Sequence, residues 1–331
     1  MYIVRLMRNR ILAEDLTSVD RIFVSDLWEA HEIPKSIFHK NSVLIEKKIP
    51  LTLILNSWAK HFTVPNCDVL YVDYFLWRTY NEIVNHKKSQ INPAWNYNSD
   101  KFLCLTGKPH KINRIGLLHL LHTRNLTKHA ITSLFVYSGN RYKTRNILPQ
   151  LSDSEFDSFV TTYNHSPDNP AITVQARDIH YGGIPYNADL FANTKFRIIS
   201  ETHMRKEPAW ITEKTWITIL NRQPFLIAGD RGICAKLSAM GFKTFDEYLV
   251  TPYDHIINPQ QRLEAMCNNI THWLNDGLPQ NLVVNDIEHN YQQLVKLANK
   301  NKTTIEEYLT SVNITASIDD IISTLDDVTT T

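Results

Sequence analysis

Three groups of side chains in this sequence carry residue types that could do chemistry. The first is Glu201, Thr202, Trp210, Thr212, Glu213 and Lys214. The second is Lys108, Lys111 and Arg114, and the third is the carboxylate pair Asp26 and Glu29. Cations beside a helix start suit an anionic ligand, and carboxylates at a strand end suit proton transfer. The surrounding patterns say how each group would be positioned. Phe196 to Ile199 are largely β-formers, and the run stops at Ser200-Glu201-Thr202. Thr212 is an N-cap candidate, with Glu213 and Lys214 in the first turn and Trp216, Ile217, Ile219 and Leu220 as the buried side. Pro224 restarts the chain, Phe225 to Ala228 is short and apolar like a buried parallel strand, and Gly229 ends it.

A strand–loop–helix unit of this kind binds ligands outside the carboxyl end of the strand, at the helix N-terminus. Free N–H groups and the helix dipole favour negative charge there. Lys214 can reach a phosphate as a mobile point charge. Glu201 or Glu213 can accept hydrogen bonds from sugar or ribose hydroxyls. The alternative is that Glu213 and Lys214 are solvated first-turn charges. Lys108, Lys111 and Arg114 lie between a short strand, Lys101 to Leu105, and a helix carrying Leu117, Leu118, Leu120 and Leu121. Cations at a helix start oppose its dipole, a cost that an anionic ligand would remove. The alternative is a solvated basic loop. Asp26 ends a clear strand, Arg21 to Asp26, and Glu29 follows it, where α/β proteins place function.

The series Phe196, Ser200-Glu201, Ile211-Thr212-Glu213-Lys214, Pro224-Phe225 and Gly229 resembles the donor-binding signature of the α1,3-fucosyltransferase-like glycosyltransferases. Leu237 to Phe245 fits the same half. The resemblance covers roughly residues 186 to 265 and is faint before residue 100. Thr202 stands where the family has Asn, Trp210 where it often has Tyr, and the loop before Thr212 is slightly longer. These departures bear on the sugar more than on the reaction class. The resemblance implies a GT-B-like α/β fold, two Rossmann-like domains with parallel sheets facing a cleft. It implies transfer of a sugar from a nucleotide-sugar donor to an acceptor hydroxyl without a metal or other cofactor. Arg114 is the best match for the family's phosphate-contacting basic residue and Lys108 the second. Glu201, Thr202 and Glu213 would hold the sugar or ribose, and Asp26 or Glu29 would be the base. The acceptor is a saccharide or, in a viral setting, a hydroxylated base in DNA. The rival reading is a non-catalytic nucleotide-sugar or nucleic-acid binding protein that kept the donor pocket.

Composition sets the outer bounds. A chain of 331 residues suggests two domains or one large one, and 43% hydrophobic content allows a sizeable core. The expected division is residues 1–98 as an acceptor-side domain, 99–275 as the donor-binding domain, and 276–331 as C-terminal helices with a frayed tail. A net charge of +1 advertises neither nucleic acid nor an anionic membrane. The four cysteines are far apart with no Cys-x-x-Cys pair, which fits a reducing cytoplasm and argues against zinc. No run reaches the roughly 18 apolar residues of a membrane span. No Gly-rich phosphate cradle and no Gly-x-Ser-x-Gly elbow is present. His119 and His122 have a possible ligand spacing, but they sit among leucines without a matching carboxylate. Strands are expected at 50–56, 68–73 and 131–137, and a helix at 152–162 opened by Ser152 or Asp153. Ser138 to Pro149 reads as a basic, Asn-rich loop, and 287–297 and 304–311 as separate helices.

Overall fold

The computed structural model describes residues 2–3, 22–27, 51–56, 67–73, 76, 79–80, 95–106, 109–134, 138–163, 188–204, 209–275 and 277–312. The fold is α/β with parallel sheets, as the alternation of strand and helix patterns predicts. Two units divide the chain. Residues 1–78 and 296–331 form the first, and residues 79–295 the second.

The first unit holds a parallel sheet of β1 (Tyr2–Ile3), β2 (Ile22–Leu27), β3 (Leu51–Asn56) and β4 (Cys67–Val72), paired in that order. The register of β2 against β3 shifts between Val24 and Leu27, so Asp26 lies within an irregularity of the ladder.

The second unit holds β5 (Phe102–Leu105), β6 (Ala130–Ser133), β7 (Phe196–Ser200) and β8 (Phe225–Ala228), in the spatial order β6-β5-β7-β8. Every residue of β7 and β8 is buried, which fits the wholly apolar sequence of β8, while β7 carries Arg197 and Ser200 among its apolar residues. The connecting helices are α1 (Leu117–Thr123), α2 (Ser138–Arg145), α3 (Asp153–Tyr163), α4 (Ala188–Ala192), α5 (Glu213–Leu220), α6 (Ile233–Ala239) and α7 (Pro259–Asn275). Phe102 and Phe196 are register partners whose rings stack at 5.3 Å. Trp273 of α7 meets Phe196 edge-on at 5.2 Å, so α7 seals that face of the sheet. Burying each such side chain contributes about 1.5–3 kcal/mol.

Two elements differ from the sequence reading. Residues 138–145 are helical, because Arg141 pairs with Asp157 and Arg145 with Asp153 on the acidic side of α3. Ser152 and Glu155 cap α3 reciprocally, with Glu155 Oε2 accepting from the Ser152 N–H at 2.6 Å. The C-terminal segment is one helix, α8 (Gln280–Ser311), since no Gly or Pro interrupts it. Val283, Ile287, Asn290 and Leu294 form its buried stripe in the second unit. Ala298, Asn301, Ile305 and Leu309 continue the stripe in the first, where Tyr308 donates to Asp68 at 3.1 Å. Among the described residues, no helix is long and apolar enough to cross a membrane.

Candidate functional site

From β5 the chain crosses to β6 on one side, and β7 then pairs on the other. The end of the sheet outside β5 and β7, where connections diverge in this way, is the position that ligands of open α/β folds take. Two segments line it. One follows β5 and includes Lys111 and a π-helical turn, Ile112–Gly116. The other follows β7 and comprises residues 201–204 and 209–212, the latter leading into α5.

Asn113 ties these segments together. Its Nδ2 donates to the Glu201 carbonyl at 2.6 Å and to the Ala228 carbonyl at 3.0 Å. Its own carbonyl accepts from Ser200 Oγ at 2.9 Å. Lys111 Nζ donates to the Thr202 carbonyl at 2.5 Å and stands 3.5 Å from His203 Nδ1. Arg114, in the same turn, is 6% exposed. Burial draws its pKa down, and the charges of Glu201 and Glu213 push it back up. Arg114 is therefore within electrostatic reach of the start of α5.

Glu201 is fully buried. Its Oε1 accepts from Thr212 N at 3.0 Å and Thr215 Oγ1 at 2.7 Å. Its Oε2 accepts from Thr212 Oγ1 at 2.6 Å and Thr202 N at 3.2 Å. A carboxylate offers about four acceptor sites, and the protein's own donors use them. Glu201 thus braces the end of β7 against the first turn of α5, where the helix dipole favours its charge. A sugar hydroxyl expected at this carboxylate would find those sites taken. Gly229 permits the close packing: a Cβ there would lie 2.9 Å from Ile233 Cδ1 and 3.4 Å from Glu201 Cβ.

Thr212 occupies the N-cap position of α5 but makes no capping bond; its hydroxyl donates to Glu201 Oε2 and accepts from Lys214 Nζ. Lys214 Nζ donates to Glu213 Oε1 at 2.5 Å and to Thr212 Oγ1 at 3.2 Å. The Lys214 and Glu213 side chains keep 23% and 18% of their surfaces exposed, so the pair is partly buried at the rim. Trp210 is 2% exposed and forms wall. Its backbone N–H donates to Asp230 Oδ2 at 3.2 Å, and its ring lies 5.4 Å from that of His203.

The fold therefore brings Arg114, Glu201, Thr202, Trp210, Thr212, Glu213 and Lys214 to one end of the second sheet. Asp26 lies in β2 of the first unit, and Glu29 and Lys108 lie outside the described residues. Sequence reasoning missed Asn113 and His203. The only signal for Asn113 was a polar residue beside Arg114 in the turn after a strand. His119 and His122 pack against Phe159, and His122 Nδ1 meets the Tyr163 hydroxyl at 2.7 Å. Among the described residues, no three His, Cys, Asp or Glu side chains group closely enough to hold a metal ion. Compared with known proteins, the chain matches no family model, no curated protein and no solved structure.

Proposed function

We propose that the second unit binds a nucleotide sugar at the carboxyl ends of β5 and β7, and that the protein transfers the sugar to an acceptor hydroxyl. One observation carries this reading. Lys111 and Arg114 from the segment after β5 share one end of the sheet with Lys214 from the segment after β7, beside the start of α5. Glycosyl transfer leaves a nucleoside diphosphate, whose growing negative charge must be stabilised in place. Lys214 and Arg114 are the groups assigned to that charge, with no metal in the scheme. The base that takes the acceptor proton is assigned to Asp26 or Glu29 of the first unit, in a GT-B-like arrangement of the two units. The acceptor is a saccharide or a hydroxylated base in DNA.

A second reading has its own support. Glu201 is fully hydrogen-bonded and Glu213 is paired with Lys214, so neither is a ready base. A protein that binds the donor without transferring it would need only the cations. A thermal-shift screen against nucleoside diphosphates and nucleotide sugars tests the binding common to both readings. A ligand at a hundred times its dissociation constant adds roughly 2.7 kcal/mol of stability. A shift with one diphosphate and its sugar fixes the donor, and release of free diphosphate on incubation then separates transfer or hydrolysis from binding alone. No shift with any of them removes both readings.

A further inference from the structure

The turn that follows β5 is a π-helical turn over Ile112–Gly116. Turns of this width are rare and recur where a side chain must be aimed for function. Asn113, its second residue, is fully buried. It gives both amide hydrogens to carbonyls at the ends of β7 and β8, and its backbone oxygen receives the Ser200 hydroxyl. Its Oδ1 is buried without a hydrogen-bond partner, so the residue is held by what it donates. Lys111 and Arg114 flank it in sequence. Their side chains leave a backbone that is fastened to the two strands on which α5 and Glu201 are also mounted. Cations on an unfastened loop would lose backbone freedom on meeting a ligand, and affinity would fall accordingly.

We infer that Asn113 is a positioning residue for diphosphate binding, fixing the turn so that Lys111 and Arg114 face an anion at the start of α5. This rests on the reading of the site given above. Asn113 touches no ligand and acts through its two neighbours.

Inorganic pyrophosphate, the moiety that nucleoside diphosphates share, is the probe. Its affinity for the full chain is measured by calorimetry in the wild type, Asn113→Ala, Arg114→Ala and the double variant. Asn113→Ala is expected to weaken binding by about tenfold to a hundredfold. The double variant is expected to lose less than the product of the two single losses, because Asn113 works partly through Arg114. A purely structural Asn113 gives losses that multiply, and that result overturns the inference, as does wild-type affinity in Asn113→Ala. If Asn113→Ala does not fold, Ser200→Ala removes one of the fastenings and enters the same cycle with Arg114→Ala. A wild type that binds neither pyrophosphate nor any nucleoside diphosphate removes the site reading and the inference together. A wild type that binds, with multiplying losses, removes the inference alone.

Discussion

Lys214 has two partners, Glu213 and Thr212, and stands at the rim of the site. Removing its ammonium takes away a charge without opening the core. Lys214→Ala is expected to abolish nucleoside diphosphate binding in calorimetry while leaving the unfolding midpoint nearly unchanged; retained affinity would put the phosphate site elsewhere. Arg197 is the opposite case. It is 4% exposed, its guanidinium lies 5.1 Å from the Phe191 ring, and its Nε and Nη1 have no hydrogen-bond partner among the described residues. Burial draws its pKa down to about 10. A buried charge without an ion pair is a liability, so Arg197→Met is expected to raise stability in urea by about 1–3 kcal/mol. A loss of stability would show that the guanidinium serves a bond worth keeping. Burial pushes the Cys104 thiol from its ordinary 9.0 to about 12 and that of Cys267 to about 11. The folded chain therefore holds these protons where the unfolded chain releases them. The stabilisation is fully present below pH 9.0 and is lost progressively as pH climbs towards 12. Urea titrations at rising pH should show that decline, and Cys104→Ala should decline less steeply than the wild type.

The element with most at stake is the joint between β7 and α5. Glu201 accepts from four donors there, and three of them belong to Thr212 and Thr215. Glu201→Ala would strand these donors in a closed interior and is expected to cost about 3–5 kcal/mol in urea unfolding. A cost below about 1 kcal/mol would mean that water reaches the joint. Much of this joint was legible in the sequence. The apolar runs of β7 and β8 and the Thr-Glu-Lys start of α5 are local patterns, and local patterns survive folding. The task of Glu201 was not legible, because a carboxylate before a loop looks the same whether it faces solvent or the protein's own hydroxyls. Asn113 was less legible still, since its partners Glu201 and Ala228 are distant in sequence. The helix α2 was misread for a related reason: its arginines look like a solvated loop until Asp153 and Asp157 of α3 are set beside them.

At the scale of the whole molecule, α8 supplies buried residues to both units. A chain ending at Val295 would lack Asn301 and Tyr308, which contact Asp73 just after β4 and Asp68 within it. Such a chain is expected to lose hydrogen-exchange protection in β3 and β4 while keeping it in β5, β7 and β8. Equal loss in both sheets would make the chain a single cooperative body. Parallel sheets were legible from the alternation of strands and helices, but the order β6-β5-β7-β8 was not, because pairing between distant strands leaves no local trace. That order has a consequence for how the molecule folds. β7 and β8 are joined by one short helix and can pair early, whereas β5 must find β7 across the whole excursion through α1, β6, α2, α3 and α4. Closing so long a loop is slow, because its entropy is lost before any contact repays it. The pairing of Phe102 with Phe196 is therefore expected to be a late step, and the ends of β5 and β7 come together only with it. A half-folded chain would hold the Thr-Glu-Lys helix without the turn that carries Lys111 and Arg114, so the proposed ligand binding should appear together with the last of the tertiary structure.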